Sequence, residues 1–276
     1  MEIHLPAEQF CPDHVFSCGQ TFRFHREDGV WRGVAMGSIV EAEQTGTAVR
    51  LRAEGGSQTE DAWRRYFDLG SDYAALLPAD DPVLWRAIES APGLRVLNQE
   101  PFETLISFII SANNNIPRIT RIIEALCREA GRPFAAGGRE YWTFPEAEQL
   151  AALSEERLRA LGAGYRAPYI LAASERAARE DIGSFREMPT GEALRRLQEF
   201  PGVGPKVAGC IALFALGKRD AFPADVWIRR IIRQLYGFDG RPKQVAVFAA
   251  ERFGAGAGIA QQYLFHYARR YLQAGT

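Results

Sequence analysis

The chain has 276 residues, of which 47% are apolar and 24% are charged, and its formal net charge is −1. This composition excludes a disordered chain and predicts a folded protein of two domains. The near-neutral charge argues against a nucleic-acid binder, although "RITRII", "RRII" and "HYARR" can supply a local cationic face.

No stretch of the sequence predicts export, membrane insertion or metal binding. There is no window of about 18 uncharged apolar residues, and the N-terminus lacks a basic-then-apolar secretory pattern. The four cysteines (Cys11, Cys18, Cys127 and Cys210) form no CxxC pair and no four-cysteine cluster spacing. We therefore expect a cytoplasmic protein with no membrane partner, no metal and no cofactor.

The first part of the chain is predicted to form a β-sheet. Apolar and polar residues alternate from about residue 14 to 54, and Asp28-Gly29 is a strong signal for a two-residue hairpin turn. Between Thr59 and Leu97 the apolar residues change to helical spacing. We predict a twisted antiparallel β-sheet domain with short helices over residues 1–97.

Helices are predicted from residue 98 to the C-terminus. The apolar residues of 101–111 recur at i, i+3, i+4, i+7 and i+8, which is typical of one buried helix face. Three asparagines (Asn113, Asn114 and Asn115) interrupt this pattern, and Pro117 suits the first turn of the next helix. Residues 132–140 are expected to be a surface loop. The predicted fold class is α+β, with an all-helical domain over residues 98–276.

The segment "FPGVGPK" (200–206) lies between two predicted helices. It lacks the downstream residues of a P-loop or of a dinucleotide-binding motif, so it predicts a helix-hairpin-helix over about residues 192–216. Gly202 and Gly204 let a phosphate approach the backbone, and Pro205 starts a helix with unpaired N–H groups. An ordinary turn between two helices is an equal alternative on these residues alone.

Two residues near this hairpin could carry chemistry. Lys206 falls in the first turn of the second helix, where the helix dipole disfavours an ammonium ion, and Schiff-base chemistry requires the neutral amine. Asp225, nineteen residues later, fits a helix N-cap, a position that can also aim an ionised carboxylate outward. Taken singly, a surface lysine and a structural cap are the simpler interpretations.

The segment "LQEFPGVGPKVAGCIALFALGKRDAFPADVWIRRI" resembles the signature of the helix-hairpin-helix (HhH-GPD) DNA glycosylase superfamily, and its lysine resembles the bifunctional glycosylase/lyase branch. The segments "CGQTFRF", "NNNIPRITRIIEALC", "LGAGYRAPYI" and "AGIAQQYLFHYARR" resemble 8-oxoguanine DNA glycosylases and span nearly the whole chain in the family's order. The resemblance implies a DNA repair enzyme that flips 8-oxoguanine out of duplex DNA, excises it and cuts the strand 3′ to the lesion by β-elimination. It also implies a monomer whose partner is double-stranded DNA containing oxidised guanine.

The resemblance also implies a role for each matching residue. Lys206 would attack the sugar C1′, and Asp225 would stabilise the cationic sugar. The Gly19 carbonyl would accept a hydrogen bond from N7–H, which 8-oxoguanine has and guanine lacks. The other implied positions are Cys210, Gln261 and Phe265 around the base, Asn113, Arg118, Tyr165 and Arg166 at the orphaned cytosine and base stack, and Gly202, Gly204 and Trp227 at phosphates.

Some positions depart from the family pattern, and two other functions are compatible with parts of the sequence. Trp227 lies where many relatives have a phosphate-contacting histidine, and Phe214 lies where some have methionine. A monofunctional glycosylase for alkylated bases would need Asp225 but not Lys206, and a noncatalytic helix-hairpin-helix DNA-binding protein would need neither. The two residues together favour the bifunctional enzyme, and the cysteine spacing excludes the iron–sulfur members.

Overall fold

The structure is a computed structural model that describes residues 1–272, so the last four residues of the predicted helical domain lie outside it. Within residues 1–272, no helix is both long enough and apolar enough to cross a membrane.

An antiparallel sheet of five strands forms the N-terminal part of the fold and confirms the predicted sheet. Asp28 and Gly29 join its second and third strands with φ angles of 50° and 84°, the left-handed geometry that a two-residue hairpin turn requires. The first strand precedes the region predicted as strands and pairs with the fifth. In spatial order the strands are β1 (Glu2–Pro6), β5 (Ala48–Glu54), β4 (Ser38–Thr45), β3 (Val30–Ala35) and β2 (Phe24–Glu27).

Helices make up most of the remainder, as predicted, so the α+β fold class is confirmed. They are α1 (Pro12–Phe16), α2 (Glu60–Tyr66), α3 (Pro82–Glu89), α4 (Pro101–Ser111), α5 (Ile116–Ala130), α6 (Ala147–Ala151), α7 (Glu155–Ala160), α8 (Ala167–Ala177), α9 (Thr190–Gln198), α10 (Pro205–Ala215), α11 (Val226–Tyr236), α12 (Pro242–Phe253) and α13 (Ala257–Tyr271). Short 3₁₀ turns lie at Ala74–Leu76, Gly164–Arg166, Ile182–Glu187 and Gly254–Gly256.

The segment predicted as a surface loop, residues 132–140, is instead part of a β-hairpin. Its strands are β6 (Pro133–Ala136) and β7 (Arg139–Trp142), and Gly137-Gly138 turns between them with positive φ angles. Phe134 and Tyr141 pack against the small apolar cluster on the outer side of the N-terminal sheet. The loop prediction was wrong because the strands are only four residues long and their apolar residues have a partner only in the sheet.

Helix α10 lies at the centre of the helical core. Every residue from Val207 to Ala215 is buried, and α4 and α9 pack against it. Because the flanks of this helix are enclosed, only its N-terminal end, at Pro205 and Lys206, reaches the surface. The core therefore holds one helix terminus in a fixed position and presents it to solvent.

Candidate active site

The helix-hairpin-helix consists of α9, a turn at residues 199–204, and α10. Gly202 has a φ angle of 81°, and a β-carbon there would lie 2.8 Å from Cβ of Tyr169. Both the positive φ angle and this close contact therefore require glycine at this position. Gly204 is the N-cap of α10 and is exposed, with no other atom within 4 Å of where its β-carbon would be. Backbone N–H groups of the first turn of α10 can therefore meet an anion at an open surface.

Lys206 is the second residue of α10 and is half-buried. Its Nζ atom lies 5.3 Å from the ring centroid of Phe108, a buried residue of α4. Within residues 1–272 no carboxylate forms an ion pair with this amine at the 4.0 Å limit. The amine thus lies at the edge of the apolar core, near the Phe108 ring and the Cys210 thiol.

Asp225 is the N-cap of α11, as the sequence predicted, and its Oδ1 accepts a hydrogen bond from the Ile228 N–H at 2.9 Å. The segment before it packs closely on α10, because a β-carbon at Gly209 would lie 3.1 Å from Cα of Pro223. This contact brings the start of α11 to the lysine-bearing helix.

Cys210 lies between the two candidate catalytic residues. It is one helical turn after Lys206 on α10, and both the Lys206 ammonium and the Asp225 carboxylate act on its thiol. Burial raises the pKa of the Cys210 thiol to about 11, with the lysine opposing and the aspartate reinforcing that shift. The thiol is therefore neutral near pH 7, and the structure brings Lys206, Cys210 and Asp225 together.

The residues proposed from the sequence to bind the damaged base come from two distant parts of the chain. Gly19 has a φ angle of 77°, and a β-carbon there would lie 4.0 Å from Cε1 of Phe265. Phe265 and the buried Gln261 are one turn apart on α13 and share a face, and Gln261 accepts a hydrogen bond from Gln262 at 3.0 Å. The structure thus places Gly19 beside the helix that carries the other two residues.

Gln20 supports Gly19, and the sequence analysis missed it. Its side chain is fully buried; Nε2 donates to the carbonyls of Val15 at 2.9 Å and Arg95 at 2.8 Å, and Oε1 accepts from the Leu97 N–H at 2.8 Å. The Gln20 carbonyl also accepts from Gln99 at 2.7 Å. Its place directly after the glycine in "CGQTFRF" was the available signal, but its partners Arg95, Leu97 and Gln99 lie 75 to 79 residues away in the sequence.

The asparagine loop between α4 and α5 forms a second cluster. Asn113 is exposed and has a φ angle of 49°. Tyr165 is also exposed, and its hydroxyl donates to the Ala112 carbonyl at 3.2 Å. The exposed Arg118 lies nearby, since a β-carbon on Gly164 would be 3.8 Å from its guanidinium.

Arg166 belongs to this cluster but does not project from it. The side chain is only 2% exposed, and its guanidinium donates to the carbonyls of Ala112 and Asn113, the latter at 2.8 Å. In this structure Arg166 therefore fixes the backbone of the asparagine loop, whereas the sequence resemblance implied a contact with a cytosine edge.

Exposed apolar side chains surround the hairpin. Val226 and Trp227, at the start of α11, are 77% and 51% exposed. Trp227 and Phe265 line a cavity of about 370 Å³ whose guanidinium groups come from Arg230 and Arg269. Aromatic rings beside guanidinium groups suit stacked bases and phosphates. In the described part of the chain, no group of three or more His, Cys, Asp or Glu side chains could hold a metal ion.

Two family models match the chain in succession. The model of the 8-oxoguanine DNA glycosylase N-terminal domain matches residues 2–105, and the model of the HhH-GPD superfamily of base excision DNA repair proteins matches residues 106–253. A probable N-glycosylase/DNA lyase of Methanothermobacter thermautotrophicus is 38% identical over 226 residues, which cover 74% of this chain and 72% of that protein.

Solved structures match over almost the full length. The apo form of the 8-oxoguanine glycosylase/lyase of Clostridium acetobutylicum has a TM-score of 0.90 and 36% identity, and the match covers 97% of this chain and 96% of that one. The complex of that protein with double-stranded DNA containing cytosine opposite 8-oxoguanine has a TM-score of 0.88 and 36% identity, covering 95% and 92% of the two chains.

Proposed function

The chain belongs to the 8-oxoguanine DNA glycosylases of the HhH-GPD superfamily of base excision DNA repair proteins, and on that premise we propose that it excises 8-oxoguanine from duplex DNA and then cuts the strand. The observation that carries the proposal is the position of Lys206 at the open N-terminal end of α10, directly after the glycine hairpin and beside the segment of Asp225. We further propose that the enzyme acts as a monomer in the cytoplasm.

The hairpin would hold the DNA backbone. Exposed N–H groups at Gly204 and the first turn of α10 bind a phosphate without a basic side chain, which fits a protein whose net charge is −1. Tyr165 would wedge into the base stack and Trp227 would contact a phosphate, and the half-exposed rings of both residues are open to DNA. The energy of these contacts offsets the unstacking of the lesion.

Lys206 would then replace the damaged base on the sugar. The neutral amine forms a bond to C1′ as the bond between C1′ and N9 breaks, and the base leaves with the electron pair and gains a proton. The Asp225 carboxylate stabilises the positive charge that develops on the sugar. Loss of the amine proton and opening of the sugar ring give an imine between Lys206 and C1′.

The imine would lead to strand cleavage. The imine withdraws electrons from C2′, so that carbon loses a proton. The bond from C3′ to its oxygen then breaks, and the DNA on the 3′ side of the lesion leaves with the phosphate on its 5′ end. Water then hydrolyses the imine and frees Lys206. The expected product is a nick 3′ to the lesion.

The test uses the full chain without added metal or nucleotide, on a duplex with one 8-oxoguanine opposite cytosine. We expect a nick, and borohydride should reduce the imine to a stable protein–DNA adduct. Lys206→Gln should abolish the adduct. The chain has three lysines, and Lys243 is a matched control because it also follows a proline at the second position of a helix, α12, and is exposed. Lys243→Gln should form the borohydride-reduced adduct to the same extent as the intact protein.

Several outcomes would contradict the proposal. An adduct that persists in Lys206→Gln would assign the amine to another residue. Release of the base with no adduct on either a lesion duplex or an abasic duplex would leave a monofunctional glycosylase. Nicking rates measured with each of the four opposite bases would then define the base preference.

A further inference from the structure

His14 and His266 meet at the junction between the loop that carries Gly19 and helix α13. Their ring centroids are 4.7 Å apart, with an angle of 71° between the ring planes. His14 lies on α1, five residues before Gly19, and His266 directly follows Phe265. The two rings thus join the segment that carries the Gly19 carbonyl to the helix that carries the Phe265 ring.

Arg269 makes a second link between the same two segments. Its Nη1 atom donates a hydrogen bond to the carbonyl of Ser17 at 2.8 Å, and its guanidinium carbon lies 5.7 Å from the ring centroid of Phe265. Ser17 is two residues before Gly19. The loop is therefore tied to α13 at residues 14 and 17, before the glycine in the chain, while Gln20, after it, ties the loop to Arg95 and Leu97.

The surroundings of His266 disfavour the charged form of its ring. His14 Nδ1 lies 2.8 Å from the carbonyl of Pro92, which can only accept, so Nδ1 carries the hydrogen. Burial, then His14, Arg270 and Arg269 in that order, lower the pKa of His266 to about 4.

The carboxylate next to His14 in the sequence is paired with other groups. Asp13, which precedes His14, accepts from the indole N–H of Trp31 at 2.6 Å and pairs with Arg26 at 3.2 Å. A proton on His266 would therefore add a cation to a junction that already contains Arg269 and Arg270.

We propose that His14, His266 and Arg269 are positioning residues that set the distance between the Gly19 carbonyl and Phe265, and so determine how well the enzyme separates 8-oxoguanine from guanine. This inference rests on the proposed function. A hydrogen bond from N7–H needs the carbonyl at about 2.9 Å, and displacement by about 1 Å can cost about a hundredfold in rate. Their ring and hydrogen-bond contacts are with the Gly19 loop and α13, so cleavage at an abasic site, where no base is read, depends on them less than excision does.

The experiment compares two activities of the same protein: excision of 8-oxoguanine and cutting at a preformed abasic site. His266→Ala and Arg269→Ala should each slow excision about tenfold more than they slow abasic-site cutting. Arg270→Ala is the matched control, because it removes an equal charge from the neighbouring position on α13 without removing the bond to Ser17, and it should leave the ratio of the two activities unchanged.

The pH profile separates positioning from a general loss of structure. In the intact protein, excision should fall more steeply than abasic-site cutting as the pH falls toward about 4, because protonation of His266 adds a cation beside Arg269 and Arg270. His266→Phe retains an aromatic contact and cannot be protonated, so it should restore excision and remove that difference between the two profiles. Thermal unfolding of each variant identifies any that fails to fold.

Each remaining outcome overturns the inference. Equal loss of both activities in His266→Ala would indicate a structural role, and no loss of excision in His266→Ala and Arg269→Ala would show that the junction does not position Gly19. If the intact protein neither excises 8-oxoguanine nor cuts abasic sites, the proposed function fails and this inference fails with it. If the intact protein does both, only the positioning role is at stake.

Discussion

Gly209 and Pro223 are in direct contact across the candidate active site: a β-carbon on Gly209 would lie 3.1 Å from both Cα and Cβ of Pro223. Gly209 is three residues after Lys206, and Pro223 is two residues before Asp225. The missing side chain at residue 209 therefore sets how closely the aspartate approaches the lysine.

Gly209→Ala should impair catalysis without unfolding the protein. The added methyl pushes the Pro223 segment away from α10 by a few tenths of an ångström, while alanine favours the helix by about 1 kcal/mol. We expect single-turnover excision to slow about tenfold and the free energy of unfolding to change little. Gly70→Ala is the control, since nothing lies within 4 Å of its β-carbon position. Unchanged excision in Gly209→Ala would show that the segment relaxes freely.

Two substitutions of Asp225 should separate its capping role from its catalytic role. Asparagine is also a good N-cap, so Asp225→Asn should change the free energy of unfolding by less than about 0.5 kcal/mol while greatly slowing excision. Asp225→Ala should slow excision and also lower the free energy of unfolding by about 1 kcal/mol. Thermal unfolding and single-turnover kinetics measure the two effects. If Asp225→Asn excises the base at the rate of the intact protein, Asp225 acts only as a helix cap.

Arg166 and Arg118 should behave differently although they lie in one cluster. Arg166→Ala removes the hydrogen bonds of a buried guanidinium to the carbonyls of Ala112 and Asn113 and leaves Ala112 only the Tyr165 hydroxyl, so we expect about 2 kcal/mol or more of lost stability. Arg118→Ala removes an exposed side chain and should cost less than about 0.5 kcal/mol. It should instead weaken lesion-duplex binding and reduce its salt dependence. Denaturant unfolding measures the stability of the two variants, and titrations with lesion duplex at several salt concentrations measure their binding. Equal losses of stability would contradict the assignment of Arg166 to the support of the loop.

Glu103 should make the protein less stable as the pH rises. Burial raises its pKa to about 7 from an ordinary value of 4.5, and the guanidinium of Arg23 at 3.5 Å only partly opposes that shift. The folded state therefore binds more protons than the unfolded chain between those two values, and stability from this group is lost across that window as the pH increases. Glu103→Gln should flatten the dependence of Tm on pH above 5. An unchanged slope would show that Glu103 is ionised throughout.

His266 makes the opposite contribution. Its folded-state pKa of about 4 lies below the ordinary value of 6.5, so its contribution to stability is complete above the ordinary value and is lost as the pH falls toward about 4. The Tm of His266→Phe should therefore decline less than that of the intact protein between those two pH values.

Much of the local structure was predictable because it depends on neighbours in the chain. The Asp28-Gly29 turn, the buried face of α4 and the cap at Asp225 follow from backbone preference, helical period and a side chain that reaches its own helix. The hairpin at residues 133–142 was not predicted, because strands of four residues depend on the sheet they pack against.

The sequence by itself determined the fold class, the helix-hairpin-helix and the positions of Lys206 and Asp225, since each is encoded in a short segment whose turn and helix signals are local. Only the tertiary structure decided that Arg166 supports a loop, that Gly209 admits Pro223, and that His14 meets His266, some 250 residues away in the chain. Such contacts form only when distant segments pack, and their burial, distance and charge arise from that packing.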